Sequence, residues 1–350
     1  MHSDSPGQRF RIHTWAPYLS DHGIDNTEVS FATPELSRVL PLKGRVASKV
    51  WQTVRSMASY PRRVPSVSRF DGVLIVLEAI PIGPPLWEQW IAKRRRIPLA
   101  FDFDDPIFLP RKSHPAAQYL RDPNKWKALC GMATVTTCVN EMVADYVRPY
   151  CRRVEVVPNA IDLDRYPRWT GRDRQGPLVL GYSGSHSTMF QLSEIEAALA
   201  EVARTSPFRL RLIGGASPFR LDGVEIQEVR WSKETEADTL FGLDIGLAPA
   251  PNDEWNKYKS FVKVLLYMAV GLPVVASPIG LAAWVIRDGE NGFLARTHSE
   301  WVDKLLLLIR DPDLRQRMGL AARATVERDF ALSSQLPRVL EIFRGLTAPR

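Results

Sequence analysis

Two short polar motifs in the second half of the sequence have the composition of an anion-binding site. Residues 181–188 (GYSGSHST) follow an apolar run and precede a helical segment, so their glycines allow a ligand to approach the backbone while Ser185 donates a hydrogen bond. Residues 259–263 (KSFVK) open a second helix, with Ser260 as the predicted cap and Lys263 one turn inside. Both motifs indicate phosphate binding; a tight turn and a solvated basic helix start are the alternatives.

A third motif, residues 102–105 (DFDD), ends an apolar strand in the first half of the chain. Asp102 and Asp104 share one face of a strand, so a D-x-D metal site is one interpretation. An acidic strand end that caps the next loop is a second interpretation. The third, which we favour, is a role facing a cleft, in which Asp104 or Asp105 orients a hydroxyl group of a bound ligand.

The histidines and cysteines do not form a recognisable nucleophile or metal motif. His114 and His186 are the histidines beside these loops, and either one contacts sugar or phosphate or is merely solvated. Cys130, Cys138 and Cys151 are odd in number and contain no CxxC pair, which argues against a disulfide framework and a cysteine-rich zinc site. We therefore expect no metal and a reducing, cytoplasmic compartment.

Short apolar runs that alternate with helix-like segments predict the frame that holds these motifs. In the first half the strand candidates are 72–80, 97–103, 133–139 and 154–157, with 27–31 as an additional first strand. In the second half they are 178–182, 208–213, 224–229, 245–249, 273–277 and 293–295. This alternation predicts an α/β fold of two doubly wound parallel sheets, with ligands at the carboxyl ends of the strands.

Length and local composition predict the domain limits. At roughly 150 residues per domain, 350 residues favour two domains. We predict a first doubly wound domain over 1–161, a polar linker over 162–177, a second doubly wound domain over 178–330 and a tail or helix over 331–350.

One uncharged stretch, residues 264–286, has the length of a membrane span. It contains two glycines and two prolines that break a single helix, so it is predicted as helix, turn, buried strand, turn and second helix. The first thirty residues hold no apolar core of signal-peptide length, and we expect no export.

The positive charge of the chain is concentrated in one segment. The whole sequence has a net charge of +7, and residues 35–69 alone hold eight Lys or Arg and one acidic residue. Val46, Val50, Val54 and Met57 recur there at helical spacing, which is typical of a basic amphipathic helix on an anionic membrane surface. A core-facing helix with a solvated face is the alternative. Nucleic-acid binding is not expected, because no aromatic-basic repeat accompanies the charge.

Several segments taken together resemble the retaining glycosyltransferases of family 4, also called group 1. Residues 263–280 (KVLLYMAVGLPVVASPIG) with 288–294 (DGENGFL) are similar to the donor-domain signature of that family. Residues 156–166 (VVPNAIDLDRY) and 243–249 (LDIGLAP) are similar to its interdomain segment and to the strand before its donor loop. Segments 78–85 and 101–105 look like features of one bacterial branch.

The resemblance implies a GT-B fold, in which two doubly wound Rossmann-like domains face each other across a cleft. It implies metal-independent transfer, with retention of configuration, from a UDP- or GDP-sugar to a glycan or lipid-linked acceptor, and no separate cofactor. Trp231 would lie near the nucleobase, and Lys263 would act in catalysis with Asp104 and Asp105. The residues that would bind the donor diphosphate are Gly184, Ser185, Lys259, Ser260 and Lys263.

One position departs from the family pattern. Many members place a glutamate before the Tyr-Met-Ala run, where it binds the ribose diol, and this chain has Leu266 there. Leucine accepts no hydrogen bond, so an alternative hypothesis is that the chain is a non-catalytic GT-B scaffold or a partner subunit of another transferase. A sugar-nucleotide epimerase or a phosphorylase on the same fold is a further alternative.

Overall fold

A computed structural model describes residues 8–40, 42, 44–64, 67–94, 97–110, 120–168, 176–185, 188–214 and 217–347. The chain forms two compact units, one of residues 1–159 with 335–350 and the other of residues 160–334. Each unit has its own parallel sheet, which gives the predicted α/β class. Residues 335–350, predicted as a tail that follows the second domain, belong to the first unit.

The sheet of the first unit has four parallel strands, which confirm the four main strand predictions for this half. They are β1 (Val73–Val76), β2 (Leu99–Phe103), β3 (Val135–Cys138) and β4 (Val154–Val156), paired in that order. The helices of this half are α1 (Ala16–Ser20), α2 (Pro34–Val39), α3 (Val46–Arg63), α4 (Leu86–Gln89), α5 (Lys125–Met132) and α6 (Glu141–Val147), with π-helical turns at Arg9–His13 and Trp90–Arg94. Every residue of β2 is buried, as expected for a central strand covered on both faces.

The additional first strand predicted over 27–31 is wrong. These residues form no strand. The carbonyl oxygens of Ser30 and Phe31 instead accept hydrogen bonds of 2.8 Å each from the Arg63 guanidinium of α3. A side chain therefore satisfies backbone groups that a neighbouring strand would otherwise bind, and apolar spacing alone does not distinguish the two situations.

The sheet of the second unit has six parallel strands, all predicted from the sequence. They are β5 (Leu178–Ser183), β6 (Phe208–Ile213), β7 (Glu225–Val229), β8 (Ile245–Ala248), β9 (Val274–Ala276) and β10 (Phe293–Leu294). The helices are α7 (Glu196–Thr205), α8 (Glu236–Phe241), α9 (Glu254–Lys257), α10 (Val262–Ala269), α11 (Leu281–Val285), α12 (His298–Arg310), α13 (Pro312–Asp329) and α14 (Leu332–Thr347), the last of which continues into the residues of the first unit. Short 3-10 turns occur at Val67–Arg69, Arg148–Tyr150, Leu163–Arg165 and Met189–Ile195.

The uncharged stretch 264–286 has the predicted interrupted structure, since α10, β9 and α11 occupy it. Among the described helices, none is both long and apolar enough to cross a bilayer. Leu265, Tyr267 and Met268 of α10 are fully buried, so this segment is apolar because it forms the core of the second unit.

The strand order defines where the second unit can bind a ligand. The sheet runs β10-β9-β8-β5-β6-β7, so the chain leaves β5 toward one side and later returns to pair β8 on its other side. Loops that follow β5 and β8 diverge at this switch point and leave a crevice at the carboxyl ends of the strands. The described strands of the first unit run in simple sequence order, without such a switch point.

Close packing between α10 and α13 yields a first prediction. A Cβ atom on Gly319 of α13 would lie 2.0 Å from the carbonyl oxygen of Gly271, which ends the turn after α10. We expect Gly319→Ala to lower the free energy of unfolding by about 1–3 kcal/mol, because the backbone must move apart. Urea unfolding followed by circular dichroism measures this change.

Gly131→Ala is the matched control. Gly131 also lies in a helix, α5, but a Cβ atom there meets nothing within 4 Å. Alanine should raise the free energy of unfolding by up to about 1 kcal/mol at this position through helix propensity. Stabilisation by both substitutions would show that α10 and α13 are not in close contact.

Candidate functional site

A hydrogen bond joins the end of β5 to α10, the second helix after β8, at the switch point. The Ser183 amide donates to the Tyr267 hydroxyl of α10 at 2.6 Å. Tyr267 is fully buried, and a Cβ atom on Gly246 of β8 would lie 2.6 Å from its ring. The described residues of the 181–188 motif therefore lie beside the 259–263 motif at the carboxyl ends of β5 and β8.

Gly184 lies where the chain turns out of β5. A Cβ atom there would approach Thr188 Oγ1 to 2.6 Å and the Tyr182 ring to 2.8 Å, so a larger residue cannot occupy this turn unchanged. A Cβ atom on Gly214, after β6, would lie 1.8 Å from the Gly184 carbonyl oxygen. The carbonyl of Ser185 accepts from the Thr188 amide at 2.9 Å, which closes the turn. Packing at this turn therefore requires glycine at positions 184 and 214, and the approach of a ligand to the loop backbone stays a prediction.

Lys263 lies at the carboxyl ends of β5 and β8, where its ammonium contacts an aromatic ring and an amide oxygen. Its ammonium lies 3.9 Å from the centre of the Tyr182 ring and 3.4 Å from Gln191 Oε1. Gln191 Oε1 also lies 2.9 Å from the Tyr182 hydroxyl, which fixes the ring under the ammonium. Among the described residues, no carboxylate pairs with this lysine.

Burial, with a smaller contribution from the neighbouring positive charge of Lys259, lowers the pKa of Lys263 to about 7. A partly buried cation whose described partners are a π face and a neutral amide is not fully compensated. An anion that enters the crevice would stabilise the charged form, so the site attracts a group such as a phosphate.

The start of α10 differs from the prediction in two respects. Ser260 is not the helix cap, because Phe261 occupies that position with left-handed backbone at a φ of 38° and caps with no side chain. Lys263 is consequently the second residue of α10 rather than a residue one turn inside it. The carbonyl oxygens of Asn256 and Lys259 would lie 2.7 and 2.8 Å from a Cβ atom on Gly280, so packing against this glycine shapes the bend.

Trp231 follows β7, two strands away from β5 at the edge of the sheet. Its indole N–H donates to Glu236 Oε1 at 2.6 Å, and the Tyr166 hydroxyl donates to the other oxygen of the same buried carboxylate. These bonds fix the indole plane. The nucleobase contact of Trp231 stays a prediction.

In the first unit, Asp102 forms a buried ion pair with Arg11. Arg11 binds both oxygens of Asp102, one of them at 2.9 Å, and the Thr137 hydroxyl donates to one of the same oxygens. Arg11 also donates to the Val157 carbonyl at 2.5 Å. Because Asp102 is buried and already bound to a cation, the D-x-D interpretation loses one of its two ligands.

Asp104 lies just beyond β2 and is linked to this network. The Asn159 amide donates to Asp104 Oδ1 at 3.5 Å, and Arg11 reaches Asn159 Oδ1 at 3.4 Å. Burial, and next the charge of Asp105, raise the pKa of Asp104 to about 6. A carboxyl group with this pKa exchanges a proton near neutral pH and can accept a hydrogen bond from a sugar hydroxyl.

Several residues of these two arrangements were not singled out from the sequence. Tyr182 and Gln191 contact Lys263, while Arg11, Thr137 and Asn159 hold the acidic strand end. Tyr182 and Asn159 lie inside motifs that the sequence did highlight, but no local pattern distinguishes Gln191 or Arg11, which approach from other elements. His114 and His186 lie outside the described residues.

Comparison with known proteins identifies the class of the second unit. Residues 179–311 match the family model for Glycosyl transferases group 1. That segment contains the crevice with Gly184, Lys259 and Lys263, so the second unit carries a group 1 glycosyltransferase domain. The resemblance drawn from the sequence motifs is thereby confirmed.

Two curated relatives have names that specify the transferred or receiving group. The chain is 28% identical over 209 residues to the phosphatidyl-myo-inositol mannosyltransferase of Mycobacterium tuberculosis, covering 54% of each chain. It is 28% identical over 227 residues to the D-inositol 3-phosphate glycosyltransferase of a Nocardioides species, covering 56% of this chain and 49% of the relative. The matches therefore span about half the length of these relatives.

Solved structures establish the fold over most of the chain. Sucrose-phosphate synthase from Thermosynechococcus elongatus matches with a TM-score of 0.64 at 16% identity, over 87% of this chain and 79% of the other. The Anabaena protein HepE, solved with UDP and glucose, matches with a TM-score of 0.63 at 14% identity, over 97% and 96%. The fold class is thus GT-B, with two Rossmann-like domains.

The raised pKa of Asp104 predicts a pH dependence of stability. An ordinary aspartate has a pKa near 3.9, so between about pH 4 and pH 6 the folded chain binds the proton more tightly than the unfolded chain. The contribution of Asp104 to stability is therefore present below about pH 4 and is lost as the pH rises through about 6. Relative to wild type, Asp104→Asn should gain stability over that interval.

Unfolding midpoints measured at several pH values compare the two proteins. Asp122→Asn, at an aspartate whose carboxylate bonds the Asn124 backbone amide, serves as the control for a generic loss of charge. An identical pH profile for wild type and Asp104→Asn would show that this carboxyl group has an ordinary pKa.

Proposed function

We propose that this chain is a glycosyltransferase that moves a sugar, of hexose type, from a nucleotide-sugar donor to a glycan or lipid-linked acceptor. The transfer is proposed to retain the anomeric configuration and to need no metal ion, in cell-surface polysaccharide synthesis at the cytoplasmic face of the membrane. The family match of the second unit supports the reaction class. Binding of UDP and glucose by HepE suggests UDP-sugars as the first donors to test.

The observation that carries this proposal is the partly buried ammonium of Lys263 at the switch point of the second sheet. In the proposed reaction the bond between the sugar C1 and the donor phosphate breaks, and negative charge develops on the departing diphosphate. Lys263 and Lys259 are proposed to stabilise that charge electrostatically. The backbone at Gly184 and the Ser185 hydroxyl are proposed to hold the same diphosphate, with Ser260 beside them.

The acceptor side is proposed to use Asp104 and Asp105. Both follow β2 at the carboxyl end of the first sheet, and the Arg11, Asp102 and Asn159 network fixes the loop that holds them. One of the two carboxylates would accept a hydrogen bond from a sugar or acceptor hydroxyl and thereby orient it.

Leu266 supports a second candidate, a non-catalytic scaffold that stabilises another transferase. The side chain is 5% exposed within α10, so it packs in the core and presents no acceptor for a ribose hydroxyl. Turnover of a nucleotide-sugar by the isolated chain separates the two candidates, since only the transferase hypothesis predicts it.

The donor site predicts unequal effects for its two lysines. Lys263→Ala should weaken UDP-sugar or GDP-sugar binding by about 1.5–3 kcal/mol, the contribution of a charge-assisted hydrogen bond. Lys259→Ala should weaken it less, because the Lys263 ammonium is fixed in position by the Tyr182 ring and by Gln191 Oε1. Isothermal titration calorimetry measures both affinities.

The same titrations report protonation. Because the free Lys263 has a pKa of about 7, binding of a diphosphate at about pH 8 should take up close to one proton in wild type. Lys263→Met should bind weakly and take up none. Wild-type affinity in the Lys263 variants would mean that the diphosphate binds elsewhere.

Metal independence and stereochemistry form a further prediction. Sugar transfer should persist at an unchanged rate in excess EDTA, because the charge of the leaving group is compensated by lysines. The product should have the anomeric configuration of the donor, which proton NMR coupling constants determine. Loss of activity in EDTA that magnesium or manganese restores would instead favour a metal-dependent transferase.

A further inference from the structure

Helix α3 turns its polar side toward the protein. Ser56 is fully buried, and its hydroxyl lies 3.5 Å from both the amide and the hydroxyl of Thr33. Arg63 at the end of the same helix binds the carbonyl oxygens of Ser30 and Phe31. Tyr60 is the large side chain on this face, 5.8 Å from the ring of Phe31. The ring of Trp87 lies 6.0 Å from that of Tyr60. Hydrogen bonds and these two aromatic contacts therefore attach the helix to the first unit.

The opposite side of α3 is apolar and exposed. Val46 is 70% exposed and Trp51 is 65% exposed, although apolar residues of an amphipathic helix ordinarily face the core. The exposed apolar residues of the helix are Val46, Ala47, Val50, Trp51, Val54, Met57, Ala58 and Pro61. Leu40 and Leu42, in the connection between α2 and α3, are exposed as well. The core-facing alternative raised from the sequence is therefore wrong for this stripe.

Cations surround the apolar side. Residues 35–69 hold eight Lys or Arg against one acidic residue. Arg45, at the start of α3, and Arg55 and Arg62, along it, are all exposed. A surface that is apolar in the middle and positive around it complements a bilayer with anionic headgroups, because the headgroups attract the cations while the acyl boundary accepts the apolar side chains.

We infer that α3 lies in the interface of an anionic lipid bilayer, with its apolar stripe inserted among the lipids and Trp51 as an anchor at headgroup depth. Attachment through Ser56 and Arg63 leaves the stripe free to enter the membrane without unfolding the unit. This arrangement deepens the proposed function, on which it rests for one point only: an enzyme held in this way has a membrane lipid as its acceptor. Docking itself requires no transferase activity.

Vesicle binding without any nucleotide tests the docking. Full-length protein should sediment with phosphatidylcholine vesicles that contain phosphatidylglycerol, and not with phosphatidylcholine alone. Trp51→Ser and Val54→Ser should each reduce the partition coefficient roughly tenfold, the effect expected when one large apolar side chain no longer inserts. Vesicles with brominated acyl chains should quench tryptophan fluorescence more in wild type than in Trp51→Phe.

Two matched controls distinguish binding through α3 from non-specific binding of exposed tryptophans or cations to vesicles. Trp284 of α11 is 62% exposed, close to the value for Trp51, and Trp284→Ser should bind vesicles like wild type. Replacing Arg45, Lys49 and Arg55 with Gln should reduce binding roughly a hundredfold, at about 1 kcal/mol for each cation. The same change at Arg204, Lys233 and Arg310 of the second unit should have little effect.

Salt distinguishes insertion from adsorption. Ionic strength of 1 M, which screens charges over about 3 Å, should lower binding without abolishing it, because salt does not screen the contact of inserted apolar side chains with lipid. A protein held by charge alone would be released completely. Equal binding to neutral and anionic vesicles, absence of binding to both, or self-association that Trp51→Ser abolishes would each overturn the inference. Neither nucleotide affinity nor turnover enters these readouts, so a failed transferase hypothesis leaves the result interpretable.

Discussion

The second unit depends on one electrostatic constraint: a lysine ammonium must be kept inside a protein crevice without a carboxylate partner among the described residues. The ring of Tyr182 and the amide of Gln191 satisfy Lys263 only in part, and burial lowers its pKa to about 7. A carboxylate at that point would stabilise the empty crevice but compete with an incoming phosphate. The incomplete compensation is therefore the physical basis for assigning anion binding to this crevice.

The first unit differs in that a buried charge at its strand ends, the carboxylate of Asp102, has an oppositely charged partner. Asp102 is deeply buried, and Arg11 compensates it with a bidentate ion pair, so this carboxylate supports the structure instead of meeting a ligand. Two residues further on, no residue in the described part of the chain forms a bidentate ion pair with Asp104, and burial raises its pKa to about 6. Neighbouring carboxylates of the same motif thus have different chemistry because only one of them is reached by the arginine.

Much of this could be predicted from the sequence. Ten strands were found because parallel strands buried on both faces appear as short continuous apolar runs. The positions of Gly184 after β5 and of Lys263 at the start of a helix also follow from the sequence, whereas their binding of an anion stays a prediction. The failures have physical causes. Segment 27–31 resembles a strand but is bound by the Arg63 side chain, and Ser260 has a capping composition but Phe261 takes the cap position. Gln191 contacts Lys263 and Arg11 contacts Asp102 from distant parts of the sequence, and the spacing of nearby residues does not predict such contacts. The orientation of α3 also required the structure, because a helical wheel shows an apolar stripe without showing which way it faces.

A crystal structure of the chain with a bound UDP-sugar or UDP tests the central claim most directly. The account predicts that the diphosphate lies at the carboxyl ends of β5 and β8, that the Lys263 ammonium has left Gln191 and bonds a phosphate oxygen, and that the Gly184 backbone contacts the same group. A diphosphate bound away from this crevice, or a Lys263 still resting on Tyr182 and Gln191 beside a bound nucleotide, would contradict it.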